Sequence, residues 1–217
     1  MIVDIDGARD AAGRGEAVVL PNPSPLTHVV TATTPAAVNA AKGRPVGQAV
    51  AVWAHSPGTM TAVTSVTRLD QTAVALAHRL LLDERVTLLV PALPDLPGWL
   101  APATRDGWTL LFGASWNPVR PVLDSFPVLY VSSANRTGHQ PAATAVEALA
   151  MFPAGTPVLD LPDLSDRDGE EPVRRATTTL RLYPDGSLDL HRHGAQDHPY
   201  PDGSAYLEHL RARYVEA

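Results

Sequence analysis

The sequence contains no cysteine, and that absence removes disulfides, thiolate metal sites and cysteine nucleophiles together. It also lacks any apolar run near the roughly 20 residues that a membrane helix needs. Its longest apolar stretches, around Leu80–Leu82 and Val86–Val90, are separated by Asp83, Glu84 and Arg85. The opening carries Asp4, Asp6 and Asp10, unlike a secretory leader. No membrane association and a cytoplasmic location are therefore expected. Positive charge is scarce. The net charge of −6 has the wrong sign for a protein bound to long nucleic acids mainly through phosphate neutralisation. Aromatic residues make up 6% of the chain, and Trp53, Trp99, Trp108 and Trp116 are scattered rather than gathered on one strand as a base-stacking platform. Neither a Walker-type loop nor G-x-G-x-x-G occurs, and no G-x-S-x-G elbow supports a hydrolase reading of Ser132 or Ser133.

Lysine is nearly missing as well. Of the 17 basic residues only Lys42 is a lysine. In a chain that otherwise uses arginine, this marks a position where a compact point charge is required. The competing reading is chance in an arginine-biased composition.

What is present fits one globular domain. With 217 residues, 45% hydrophobic and 18% charged, the chain can bury a sizeable core. The spacing predicts a helix over Asp6–Ala12 and a valine-rich strand Ala17–Leu20, ended by Pro21-Asn22-Pro23-Ser24-Pro25. A second strand follows at Thr27–Ala32. Thr34-Pro35 is a helix start, and Gly43 stops that helix after Lys42. Ala49–Trp53 reads as a strand, Gln71–Leu82 as an amphipathic helix, and Val86–Val90, Trp108–Phe112 and Val128–Val131 as strands. A helix near Ala143 to Ala150 is next, then an exposed loop from Leu161 to Arg175, where Glu170-Glu171 forms a solvated face. Thr177–Tyr183 and Ser187–His191 form a hairpin about Pro184-Asp185-Gly186. Alternating strands and helices make this an α/β protein with a mixed sheet. The domain runs over 1–196, followed by a tail, 197–217, with a short helix from Tyr206 to Val215.

Four polar stretches fall at the ends of these elements: Pro21–Ser24, Lys42–Pro45, Ser132–Gly138, and Thr177–Thr179 with Arg192. Ligands of open α/β sheets sit at such ends. Lys42, Arg44 and Arg192 supply cations; Ser132, Ser133 and Asn135 supply hydroxyls and an amide. This chemistry suits nucleotide phosphates. Taken singly, Ser-Ser-Ala-Asn reads more simply as a turn and cap. His191, His193 and His198 read as a solvated strand end before a metal site, with Arg192 between the first two pointing the other way.

In combination and order the stretches resemble the YrdC-like family of threonylcarbamoyl-adenylate synthases. The likeness runs over residues 5 to 196, from Gly15–Pro21 through Lys42-Gly43-Arg44-Pro45 to Ser133-Ala134-Asn135-Arg136-Thr137-Gly138, close to the family's S-A-N-x-S-G. It ends at Thr177-Thr178-Thr179 and His191-Arg192-His193-Gly194-Ala195, which look like its S-T-V and R-x-G-A elements. The resemblance implies a twisted mixed sheet with flanking helices around a concave ligand cleft. It implies formation of a carbamoyl-AMP from ATP, bicarbonate and a small amine or amino acid (L-threonine in the family), with release of pyrophosphate and Mg2+ carried on phosphate oxygens and water. By the same resemblance Lys42 and Arg44 are the catalytic pair. Lys42, Arg44, Ser133, Asn135 and Arg192 bind the nucleotide, and Asn22, Ser24, Ser133 and Thr177 face the amine. The product would pass to a downstream carbamoyl acceptor or transferase, transfer RNA in the family.

The amine half departs from the pattern. P-T-x-T stands as Pro21-Asn22-Pro23-Ser24, and the family's R-x-P appears as Phe112-Gly113-Ala114-Ser115, without a cation; Arg120-Pro121 lies a few residues later. Two readings follow: an enzyme that accepts another amine, or a non-catalytic relative that binds a nucleotide or structured RNA.

Overall fold

The computed structural model describes residues 1–161 and 173–214. The expected loop around Glu170-Glu171 and the last predicted helical residue, Val215, lie outside them. In chain order the elements begin with β1 (Ile2–Val3), α1 (Ile5–Gly13), β2 (Val18–Leu20), β3 (Val29–Ala32), α2 (Pro35–Ala41) and β4 (Ala51–Trp53). Next come α3 (Pro57–Thr64), α4 (Gln71–Leu82), β5 (Thr87–Pro91), β6 (Thr104–Arg105), β7 (Trp108–Phe112), α5 (Arg120–Leu123) and β8 (Tyr130–Ser133). The last are α6 (Ala145–Met151), β9 (Val158–Leu159), β10 (Thr179–Leu182), β11 (Leu188–Arg192) and α7 (Gly203–Tyr214). The protein is α/β with mixed strand pairing.

Two compact units emerge, each built from two stretches of chain: Met1–Val50 with Ser115–Ala176, and Ala51–Ala114 with Thr177–Ala217. In the first, the strand order is β1-β9-β2-β3-β8. The β1–β9 and β9–β2 pairs are parallel, and β2–β3 and β3–β8 are antiparallel. All residues of β2 and β3 are buried, and six of the seven are apolar, four of them valine. Helix α1 contributes Ala8, Ala11 and Ala12 to this core. In the second unit the order is β4-β7-β5-β10-β11, with β6 on β7. Here β4–β7 and β5–β10 are parallel, while β7–β5 and β10–β11 are antiparallel. Leu76, Ala77, Leu80 and Leu81 form the buried stripe of α4.

The N-caps behave as their chemistry requires. Thr34 accepts from the Ala37 amide and Asp70 from the Ala73 amide. No apolar period marks an element between 54 and 70, yet Ser56 caps α3 in the same way, with Pro57 at its first turn. Strand β9 was also missed, because two residues are too short to show any period.

Candidate functional site

Helix α2 ends at Lys42, and Gly43 follows with φ +64°. That left-handed turn reverses the chain so that Arg44 and Pro45 run back beside the helix end. Asn39 fixes the loop. It is fully buried, and its amide donates to Val46 O and Gln48 O, both at 2.8 Å. Its Oδ1 accepts from Arg44 Nε at 2.5 Å. An asparagine within an alanine-rich helix is a poor helix former, and that mismatch was the available signal for its tertiary role.

Lys42 is buried, with 3% exposure. Its Nζ donates to Ser133 O and, at 2.8 Å, to Asn135 Oδ1. Ser133 Oγ donates to the same Oδ1 at 2.5 Å. The Asn135 amide donates to His139 O at 2.8 Å and Arg136 O at 3.2 Å, which locks the loop after β8. Three of the residues expected at the phosphate site are thus joined directly, and Arg44 is tied to the same helix end through Asn39. None of them forms an ion pair among the described residues. Burial, with the neighbouring Arg44 charge, pushes the Lys42 ammonium down to about 7. Burial also lowers Arg44, whose Nη2 is enclosed without a protein acceptor. Two desolvated cations without a carboxylate are poised for an anion. Beyond Gly43 the Arg136 guanidinium comes within 3.5 Å of where a Cβ on that glycine would sit. It borders an open cavity of about 550 Å³ lined also by His139, Gln140, Glu147 and Met151.

Asn22 and Ser24 lie in the loop after β2, with no bond to the Lys42 cluster among the described residues. Asn22 is buried, and its amide donates to Thr27 O at 2.8 Å. Arg174, which no sequence motif marks, donates from Nη1 to Asn22 O at 3.1 Å and to Leu26 O at 3.0 Å.

Thr177 and Arg192 belong to the second unit. Thr177 is buried, with its hydroxyl 2.6 Å from that of Thr87. Arg192 Nη2 donates to Thr177 O at 3.2 Å, and burial of the guanidinium lowers its pKa. Asp197 braces this region. It accepts from the Thr178 hydroxyl at 2.6 Å and the Gly194 amide at 2.7 Å, and it lies 2.6 Å from His193 Nδ1. His193 is thereby committed to a structural carboxylate.

A Cβ on Gly113 would collide with the Leu81 backbone, and Ala114 is fully buried, so this stretch has no room for a longer side chain at either position. Arg120 pairs with Asp124, at the end of α5, at 2.9 Å.

No family model matches the sequence, and no curated protein matches it. Solved structures do. P. abyssi Sua5 complexed with L-threonine aligns with a TM-score of 0.65 at 19% identity, over 89% of this chain and 57% of that one. E. coli YciO aligns at 0.60 and 12% identity, covering 90% of this chain and 94% of the other. A full-length HypF in the phosphate- and nucleotide-bound form aligns at 0.61 and 15% identity, over 92% and 30% respectively. The chain therefore spans little more than half the length of the Sua5 structure it matches.

Proposed function

From the YrdC-like fold that the chain shares with these structures, we propose that it forms a carbamoyl adenylate. The amine nitrogen bonds to the bicarbonate carbon and water leaves, giving a carbamate whose oxygen attacks the α-phosphorus of ATP. The bond from the α-phosphorus to the bridging oxygen breaks, and pyrophosphate leaves. The observation that carries this reading is the buried Lys42 ammonium, held by Ser133 O and Asn135 Oδ1 and facing no carboxylate.

Lys42 and Arg44 would hold phosphate oxygens and offset the charge that grows on the leaving group. Asn135 would orient Lys42, and Ser133 would fix Asn135. Arg192, within the second unit, is a separate phosphate candidate. The Lys42–Arg44–Ser133–Asn135 cluster has no acidic side chain. Its donor set therefore fits Mg2+ that arrives on the nucleotide's phosphates rather than in a protein cage, and such an ion would supply charge neutralisation there. Transfer of the carbamoyl group to RNA or to another acceptor, and a cytoplasmic location, belong to the same proposal. No helix among the described residues is long and apolar enough to cross a membrane.

The degraded Pro21–Ser24 motif favours one rival, a non-catalytic nucleotide-binding protein. Pyrophosphate release with ATP, bicarbonate and ammonia, L-threonine or other amines separates the two. Release with any amine supports the enzyme; ATP binding without release from all of them overturns it.

A further inference from the structure

Methionine supplies all the sulfur in this cysteine-free chain, at Met1, Met60 and Met151. Met60 is buried, and Met1 stands at the chain's start with its amino group on Thr156 O. Met151 differs from both. It ends α6, is half-buried, and lines the open cavity beside Arg136 and His139. Its Sδ accepts a hydrogen bond from the Arg136 backbone N–H at 3.3 Å. A thioether is a weak acceptor, and its second lone pair is left for chemistry.

That bond is one end of a chain of contacts within the first unit. Arg136 O accepts from Asn135 Nδ2 at 3.2 Å, and Asn135 Oδ1 accepts from Lys42 Nζ at 2.8 Å. Arg136 is therefore held at its N–H by Met151 and at its carbonyl by the asparagine that positions Lys42. The sulfur's side of this arrangement is fixed: Thr144 caps α6, and Ala148 and Phe152 are buried in the core. The loop's side is not, since Arg136, Thr137, Gly138 and His139 are all exposed. A change in size or polarity at the sulfur is thus taken up by the loop.

We infer that Met151 is a site of reversible oxidation by hydrogen peroxide, and that its sulfoxide loosens the hold of Asn135 on Lys42. A sulfur lone pair attacks one peroxide oxygen. The S–O bond forms, the O–O bond breaks, and the departing hydroxide takes the remaining peroxide proton and leaves as water. The thioether is oxidised to a sulfoxide and the peroxide is reduced. The new oxygen is a far stronger acceptor than sulfur, and a well-aligned N–H···O bond of about 2.9 Å draws the Arg136 N–H off the sulfur and onto it. The consequence for ATP rests on the nucleotide site proposed above; the effect on Lys42 does not.

Lys42 is the only lysine, so a chain isotope-labelled at lysine Cε gives one side-chain NMR signal. Hydrogen peroxide should oxidise Met151 about tenfold faster than the buried Met60, read by peptide mass mapping. The Lys42 signal should shift as Met151 oxidises and return when methionine sulfoxide reductases restore the thioether. ATP affinity should fall with it by about fivefold, the lower end of coupling between linked sites. Met151→Leu, which keeps Met1 and Met60, should leave both the Lys42 signal and ATP affinity indifferent to peroxide. Oxidation of Met151 no faster than of Met60 would overturn the assignment. So would a Lys42 signal unmoved at full conversion, or an ATP affinity left unchanged by it, whether or not Met151→Leu folds. A reversible shift of the signal in a chain that never binds ATP would support the assignment and overturn the nucleotide reading alone, so the two failures are distinguishable.

Discussion

Lys42 Nζ donates to Asn135 Oδ1 at 2.8 Å across 93 positions of sequence, joining the end of α2 to the loop after β8. The same Oδ1 takes the Ser133 hydroxyl, so no acceptor charge cancels the ammonium. An asparagine positions the cation and leaves its charge free for a ligand, where an aspartate would have neutralised it.

Lys42→Met should weaken ATP binding about 10- to 100-fold, as loss of a charge-assisted contact worth roughly 1.5–3 kcal/mol predicts. Its pH signature is distinctive. The folded-state pKa is lowered from 10.5 to about 7, so between these values the unfolded chain binds more protons and stability rises with pH. The burial penalty is fully present below about 7 and relieved toward 10.5. Urea unfolding from pH 6 to 10 should show this rise in the unaltered protein and lose it in Lys42→Met, which is the more stable of the two at pH 7. ATP binding, which draws the proton back onto Lys42, should weaken in the unaltered protein as pH rises above neutrality.

Asn39→Ala removes three part-buried bonds, to Val46 O, Gln48 O and Arg44 Nε, and empties a fully buried side-chain position. A loss of about 1–3 kcal/mol is expected from roughly 0.5–1 kcal/mol per bond, since water reaches the carbonyls of the exposed Val46 and Gln48. ATP affinity should fall as well, because Arg44 is no longer held. Retention of full affinity would show that Arg44 needs no support from Asn39.

Asp197→Asn tests the brace of the second unit. Burial works to raise this carboxyl, but bonds from Thr178, His193 and the Gly194 amide outweigh it, and its pKa is lowered. A depressed carboxylate stabilises the fold above its unfolded value, about 3.9, and loses that contribution as pH falls through the folded value. Denaturant midpoints at pH 7 and pH 3 should converge between variant and parent at the lower pH, with a gap of roughly 1–3 kcal/mol at the higher.

Elements with a clear period were legible from residues alone. The helix Gln71–Leu82 and the strand Trp108–Phe112 fall where the apolar spacing put them, and the hairpin turns at Pro184-Asp185-Gly186 as expected. Strand β9 was not legible, since Val158–Leu159 carries no alternation and gains its meaning from pairing with β1 and β2. The lone lysine drew notice to Lys42, but its meeting with Asn135 depends on register between β3 and β8, which no local pattern encodes. Arg174 was hidden for a related reason. In an arginine-rich chain one more arginine in a charged stretch carries no signal, and its clamp on Asn22 O and Leu26 O is a tertiary fact.

Strand β1 pairs Ile2 with Val158, and β3 pairs Val29 with Ser133. During synthesis the first fifty residues therefore leave the ribosome without the strands that complete their sheet, and must wait while the chain detours through Ala51–Ala114. Long-range pairing of this kind slows folding and prolongs exposure of unpaired edges. For β2 and β3, whose residues are all buried in the finished unit, that interval exposes apolar strand edges to aggregation. Chaperone demand should track how quickly residues 115–161 are translated.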